Sequence, residues 1–141
     1  PQRASREWET PKSNTVNLGA DNSQLGPGWY LMHDEGDRHY RWFAKEASLS
    51  LAAPQEKGCS LRIVTGNDYY DLKKVGLHVL VDDEEIAHLF PEEGWNTYRF
   101  PLPGAGRDHI RLKLWADDLY SADYTGELTD LSFKVKEVAV E

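Results

Sequence analysis

The 141-residue chain has one cysteine and one methionine, has no long apolar run, and carries fewer basic than acidic side chains. A single cysteine, Cys59, excludes an internal disulfide and fits a reducing, cytoplasmic location. No stretch approaches the roughly 18 consecutive apolar residues of a membrane helix, so we expect no membrane insertion. Since 24 acidic and 16 basic residues give a net charge of −8, a phosphate backbone would be repelled, and we expect no nucleic-acid partner.

Sequence motifs of catalysis are also scarce. The chain has no Gly-x-Ser-x-Gly nucleophile elbow, no phosphate-binding loop and no dinucleotide-binding fingerprint. The five histidines lack the His-x-x-x-His spacing of metal sites, so we predict no metal ligands and expect His78 and His88 to lie on the sheet surface. Cys59 begins an apolar segment, which would destabilise a thiolate. We therefore predict a non-catalytic domain without a cofactor.

Acidic clusters leave two alternatives open. A glycosidase needs two carboxylates that face each other across a cleft, and three clusters offer them: Asp34-Glu35-Gly36-Asp37, Glu92-Glu93 and Asp117-Asp118. Clustered carboxylates also bind calcium, although the sequence has no Asp-x-Asp-x-Asp-Gly loop. Acidic loops are more often solvated surface. We therefore rank a hydrolytic site and a calcium site below a binding site that is neither catalytic nor calcium-dependent.

What the chain does have is a period of two. Apolar and polar residues alternate in one segment after another, as in strands with one buried face, and helical periodicity is almost absent. The clearest strand runs from Val75 to Val81, and Asp82-Asp83 then supplies a tight turn into residues 85–90, which predicts a hairpin. Residues 131–140 lose this phase at Lys136-Glu137, which indicates a β-bulge.

About eight or nine such strands favour two packed sheets. We predict an all-β fold, an antiparallel two-sheet β-sandwich of jelly-roll or galactose-binding-like type, over residues 28–141. Residues 1–27 are mostly polar or turn-forming, which is typical of a linker, here with an edge strand near Val16. Trp29, Trp42 and Trp115 adjoin apolar strand residues, so we expect them in the core.

The order of the strands predicts where a ligand binds. If successive strands alternate in direction, the connections at residues 66–74, 91–94 and 117–130 all lie at one end of the sandwich. Tyrosines beside carboxylates suit a sugar, because its C–H face packs on an aromatic ring while polar groups bond its hydroxyls. The alternative for each tyrosine is that its ring caps the core. The predicted ligand-binding residues are Asn67, Asp68, Tyr69, Tyr70, Glu92, Trp95, Asp117, Asp118, Tyr120, Asp123 and Tyr124.

The sequence also resembles a known family. The pattern Gly28-Trp29-Tyr30, Arg41-Trp42 and Ala47-x-Leu49-x-Leu51 resembles accessory domains of bacterial glycosyltransferases and related polysaccharide-biosynthesis proteins. The resemblance continues through residues 79–87, 94–98 and 101–103, and it departs from the family's Arg-rich ending at residues 127–131. It implies a non-catalytic sandwich, similar to carbohydrate-binding modules, beside a catalytic domain of the same parent protein.

The leading hypothesis for the function is therefore a carbohydrate-binding accessory module. Tethered to a glycan-synthesising enzyme, such a module would hold a polysaccharide or oligosaccharide nearby by raising its effective concentration. The first alternative is a docking or oligomerisation module whose acidic end binds a basic protein surface without touching sugar. An independent hydrolase is the second.

Overall fold

The computed structural model describes residues 6–20, 23–36, 38–53, 59–102, 108–124 and 127–141. For residues 6, 7, 122–124, 127 and 128 it describes the backbone alone. Residues 54–58 and 103–107, and Asp37 of the first acidic cluster, lie outside these ranges.

The described residues form one short helix and twelve strands, in this order: α1 (Arg6–Glu9), β1 (Thr15–Asn17), β2 (His33–Glu35), β3 (Arg38–Trp42), β4 (Glu46–Ala52), β5 (Ser60–Asn67), β6 (Leu77–Val81), β7 (Glu84–Leu89), β8 (Gly94–Pro101), β9 (His109–Ala116), β10 (Tyr120–Tyr124), β11 (Glu127–Leu131) and β12 (Lys134–Val140). No helix in the described ranges has the length and apolar character to cross a membrane.

All pairings between these strands are antiparallel. One sheet has the order β2-β3-β12-β5-β8, and β1 also pairs with β12. A second sheet has the order β4-β9-β6-β7, and β10 and β11 form a separate hairpin. The predicted all-β, antiparallel two-sheet architecture is confirmed.

Alternation along the strands builds the shared interior. In β9 the buried residues are Ile110, Leu112, Leu114 and Ala116, and the residues between them face outward. The inward residues of both sheets join one apolar cluster, which includes Leu49 of β4, Ile63 of β5 and Val79 of β6. Burying one such side chain contributes about 1.5–3 kcal/mol.

Two local predictions are confirmed. Asp82 and Asp83 form a two-residue turn between β6 and β7, with φ values of 49° and 69°. Positive φ at both positions is the geometry whose twist matches a β-hairpin. The pairing of β12 with β5 shifts register between Val135 and Glu137, so the phase slip at Lys136 is a bulge.

Two other expectations, for residues 117–130 and for Trp115, need correction. Residues 117–130 are not a plain loop, because they contain the β10–β11 hairpin, and this hairpin and the short strands raise the strand number above nine. Trp115 is not a core residue: its neighbours Leu114 and Ala116 point inward, so period two turns the indole to the outer face. Within the N-terminal segment, Val16 of β1 is fully buried and pairs with Val138.

Candidate functional site

The connections from the predicted site emerge at one end of the sandwich. Asn67 at the end of β5 pairs with Gly94 at the start of β8. Leu77 at the start of β6 pairs with Ala116 at the end of β9. Residues 67–76, 90–95 and 117–121 therefore share one end, which we call the loop end.

The Asn67 side chain links two of these connections by hydrogen bonds. Its side chain is buried, and its Nδ2 donates to the Pro91 carbonyl over 3.0 Å. Its Oδ1 accepts from the backbone N–H of Tyr69 over 3.2 Å. Both ends of the amide are thus engaged within the protein, and Asn67 supports the loops instead of facing solvent.

Aromatic rings brace the loop end internally. The half-buried Tyr69 ring packs on Tyr120, with 4.8 Å between ring centroids, and on Trp42 at 6.0 Å. Tyr120 is 4% exposed, and its hydroxyl donates to the Lys73 carbonyl over 3.0 Å. Burial, with a further contribution from the Asp118 charge, raises the pKa of Tyr120 above its ordinary value. Tyr120 therefore caps the core.

A row of four residues crosses the outer face of the larger sheet. Lys134 on β12 pairs with Trp42 on one side and with Gly66 on the other, and Gly66 pairs with Trp95. A Cβ on Gly66 would lie 2.6 Å from Cε of Lys134 and 3.2 Å from the Trp95 ring. The missing side chain at position 66 is what lets the lysine stem lie across the sheet.

The ammonium group of Lys134 ends among aromatic rings. Its Nζ lies 4.9 Å from the ring centroids of both Tyr40 and Trp95, and 5.7 Å from that of Trp42. Oδ1 of Asp68 lies 2.8 Å from this Nζ and forms an ion pair with it. Cation–π contacts of this kind contribute about 0.5–2 kcal/mol each when desolvated. The cluster fixes Asp68 and Trp95 at the rim of the loop end.

Asp118 pairs with Lys73 of the connection between β5 and β6. Its Oδ2 lies 3.0 Å from Nζ of Lys73, and its Oδ1 accepts from the backbone N–H of Leu119. The hydrogen bond with Lys73 and that from Leu119 lower the pKa of Asp118, so it is ionised at neutral pH.

The exposed residues of the loop end combine apolar and acidic groups. Tyr70 sits in a tight turn closed by a hydrogen bond from the Leu72 N–H to the Tyr69 carbonyl, and its side chain is exposed. Leu72 and Phe90 are exposed as well, and Glu92 projects from the connection before β8. Among the predicted aromatic site residues whose side chains the structure describes, Tyr70 is therefore the most exposed.

Asp117 does not join its neighbour Asp118. Its carboxylate turns to the outer face of the smaller sheet and contacts His78 and His88. Burial raises the pKa of Asp117, but its contacts with the two histidines outweigh burial and lower it. Burial also lowers the pKa of His78, and hydrogen bonds to Glu85 and Asp117 raise it more.

The sequence offered no motif for this histidine pair. His78 and His88 are ten positions apart, and the hairpin places them directly opposite each other. The three residues His78, His88 and Asp117 bring potential ligand atoms within 4.8 Å of one another. Asp123 and Tyr124 belong to β10 by their backbone, and their side chains lie outside what the structure describes.

Comparison with known proteins gives the fold. No protein-family model matches the chain, and no curated protein matches it. A family 35 carbohydrate-binding module from an environmental isolate is 19% identical, covers 93% of this chain and 88% of its own, and gives a TM-score of 0.51. The chain has the fold of such modules.

Two further solved structures agree. A family 35 carbohydrate-binding module from Clostridium thermocellum is 10% identical over 90% of this chain and 87% of its own, with a TM-score of 0.54. A family 36 module, solved in complex with calcium and xylotriose, is 8% identical over 90% of this chain and 98% of its own, with a TM-score of 0.52. At such identities the likeness extends to the fold, and any ligand has to be argued from the residues.

Proposed function

We propose that this domain is a non-catalytic module that binds a carbohydrate at the loop end. The observation that carries the proposal is the exposed Tyr70 ring in a connection that also carries Asp68 and Lys73, which pair with Lys134 and Asp118. Asp68 forms an ion pair with Lys134, and Asp118 forms one with Lys73. A sugar needs an aromatic plane for its C–H face and acceptors for its hydroxyls, and this rim offers both.

Preorganisation strengthens the proposal. The Tyr70 turn is anchored by the Tyr69 ring, which packs between Trp42 and Tyr120. Binding to a surface that is already ordered avoids the entropy cost of immobilising side chains, about 0.5–1.5 kcal/mol each. The likeness in fold to carbohydrate-binding modules supports the same function.

A wider role is part of this proposal. The resemblance to accessory domains of glycan-synthesising proteins implies a parent protein with a catalytic domain, in which the module keeps polysaccharide near the enzyme. Affinity in such an arrangement need not be high, because tethering through a short linker supplies an effective concentration on the order of 1 mM. A cytoplasmic location would fit a chain with one cysteine.

The exposed apolar residues favour one second candidate. Leu72 is 73% exposed and Phe90 is 50% exposed, beside acidic residues of the loop end. Apolar side chains rimmed by carboxylates also suit a protein partner with a basic surface. In this docking function the domain would bind a protein and no sugar.

A glycan array followed by calorimetry with the strongest oligosaccharide hit tests the proposal. Tyr70→Ala should weaken binding at least tenfold, about 1.4 kcal/mol, whereas Tyr70→Phe should keep most of it, because stacking needs the ring and not the hydroxyl. Asp118→Asn should weaken binding, and Asp83→Asn, which removes an exposed carboxylate from the opposite end, should leave it unchanged.

Two results would count against sugar binding at this site. One is an array on which no glycan binds, combined with binding of a neighbouring domain of the parent protein, which would favour docking. The other is a glycan whose affinity is equal in the wild type, in Tyr70→Ala and in Asp118→Asn.

A further inference from the structure

Three rings stack on the outer face of the smaller sheet, next to the loop end. His78 on β6 pairs with Trp115 on β9 and with His88 on β7, so the three residues form one row. The His78 and Trp115 rings are 3.6 Å apart with an interplanar angle of 2°. The His78 and His88 rings are 3.8 Å apart at 14°. Because the lone pair of an imidazole nitrogen lies in the ring plane, the His88 ring, whose side chain is 41% exposed, has to tilt out of the stack before both histidines bind one ion.

Asp117 completes the cluster on the side of the ring nitrogens. Its two carboxylate oxygens contact Nε2 of His78 and Nε2 of His88, the latter at 3.3 Å. A tetrahedral ion with ligands at about 2.05 Å separates them by about 3.3 Å. The His88 and Asp117 atoms already have this spacing, whereas Nε2 of His78 and Oδ1 of Asp117, which are in hydrogen-bond contact, would move apart when an ion binds between them.

Gly76 keeps the space around these atoms open. A Cβ at this position would lie 2.2 Å from Oδ2 of Asp117 and 2.5 Å from Nε2 of His88. The backbone also ties Asp117 in place, since its N–H donates to the Gly76 carbonyl over 3.0 Å. Any larger residue at position 76 would displace the carboxylate or the imidazole.

Glu85 supplies the outer contact that metal-binding histidines commonly have. Its carboxylate contacts Nδ1 of His78, on the opposite side of the ring from Asp117. A carboxylate at one ring nitrogen fixes the orientation of the ring, and an ion bound at the other nitrogen would replace its direct contact with Asp117. His78 is thus oriented with Nε2 toward the cluster.

We infer that His78, His88 and Asp117 bind a divalent transition-metal ion of the Zn²⁺, Ni²⁺ or Cu²⁺ class. Two imidazole nitrogens and one carboxylate oxygen match the preference of these ions. Calcium takes six to eight oxygen ligands, so this donor set disfavours it. Side-chain exposure of 41% for His88 gives an ion access from solvent. The ion would link β6, β7 and β9 beside the loop end.

Metal titration of the full chain, without a histidine tag and after treatment with a chelator, tests the site. Calorimetry with ZnCl₂ should show one saturable site per chain, and Zn²⁺ should raise the melting temperature because it binds the folded state. Cu²⁺ should quench part of the tryptophan fluorescence, since Trp115 stacks on a ligand histidine. His88→Gln and Asp117→Asn should each weaken Zn²⁺ binding at least tenfold.

His109→Gln is the matched control. His109 also lies beside a carboxylate, 3.2 Å from Asp108, and its side chain is 40% exposed, but it is not part of the cluster. This variant should bind Zn²⁺ like the wild type, and melting curves without metal should show that all variants fold. The inference is overturned if no tested ion binds saturably, if calcium alone binds, or if His88→Gln and Asp117→Asn bind Zn²⁺ as tightly as His109→Gln does. None of these results depends on sugar binding.

Discussion

Replacing Gly66 with alanine tests the row of residues that supports the loop end. The added Cβ would lie 2.6 Å from Cε and 2.9 Å from Cγ of Lys134, which is closer than van der Waals contact allows. The lysine would have to leave its place among the three aromatic rings and beside Asp68. Overpacking of this kind typically costs about 1–3 kcal/mol, so we expect a loss of that size in the free energy of unfolding.

The sign of the change in unfolding free energy distinguishes a clash with Lys134 from the ordinary effect of replacing glycine with alanine. Gly66 has no positive φ, so alanine can adopt its backbone conformation. Without the clash, a glycine-to-alanine change would stabilise the protein by about 0.4–1 kcal/mol through the unfolded state. Gly66→Ala should therefore destabilise the otherwise wild-type chain mainly because its Cβ meets Lys134.

A double-mutant cycle with Lys134→Ala measures that reason directly. Urea unfolding of the wild type, the two single variants and the double variant gives the coupling between positions 66 and 134. Truncating the lysine removes its clash and leaves the 3.2 Å approach to Trp95, so the cost of Gly66→Ala should fall by at least about 1 kcal/mol. An equal cost in both backgrounds would refute the described packing of Lys134.

Two further predictions concern the turn and the core cap. Asp83→Gly should be more stable to urea than Asp83→Ala by about 1 kcal/mol, because the left-handed backbone at φ 69° penalises a Cβ; equal stabilities would contradict this geometry. The pKa of Tyr120 is raised in the folded state, so the tyrosine resists ionisation there, and the unfolded chain loses its proton first. The free energy of unfolding should therefore fall as pH rises above about 10. This fall should be smaller in Tyr120→Phe. If the free energy from urea unfolding falls equally in the wild type and in Tyr120→Phe between pH 9 and 11, the burial of Tyr120 is not its cause.

The sequence allowed the fold to be predicted because period two is a local signal. Alternating residues in β6 and β9 identify the buried faces, and Asp82-Asp83 identifies the turn between β6 and β7. Alternating strand directions also predict that three connections share one end. These inferences need no knowledge of distant contacts.

The histidine cluster escaped prediction because it depends on an irregularity. A regular hairpin about Asp82-Asp83 pairs Val81 with Glu84 and would set His78 opposite Ala87. The register shift after Val79 moves the pairing by one residue and sets His78 opposite His88. Residues 131–140 show such a shift as a loss of phase, whereas residues 75–90 predict a regular hairpin, so this pairing required the structure.

The roles of the individual loop residues also required tertiary structure. Asn67 and Tyr120 have the residue types of ligand contacts, yet both are buried with their polar groups engaged by backbone atoms. Adjacent Asp117 and Asp118 turn to different partners, a histidine pair and a lysine. Which polar group faces solvent depends on neighbours that are distant in the chain.

Chemical-shift mapping tests sugar binding at the loop end most directly. Backbone amide resonances of the ¹⁵N-labelled chain would be followed while the strongest oligosaccharide from the array is added. We expect saturable shifts centred on residues 68–72, 92–95 and 118–120, with resonances of the Asp82-Asp83 turn unchanged. Shifts confined to that turn, or spread evenly over both sheets, would contradict the proposed site.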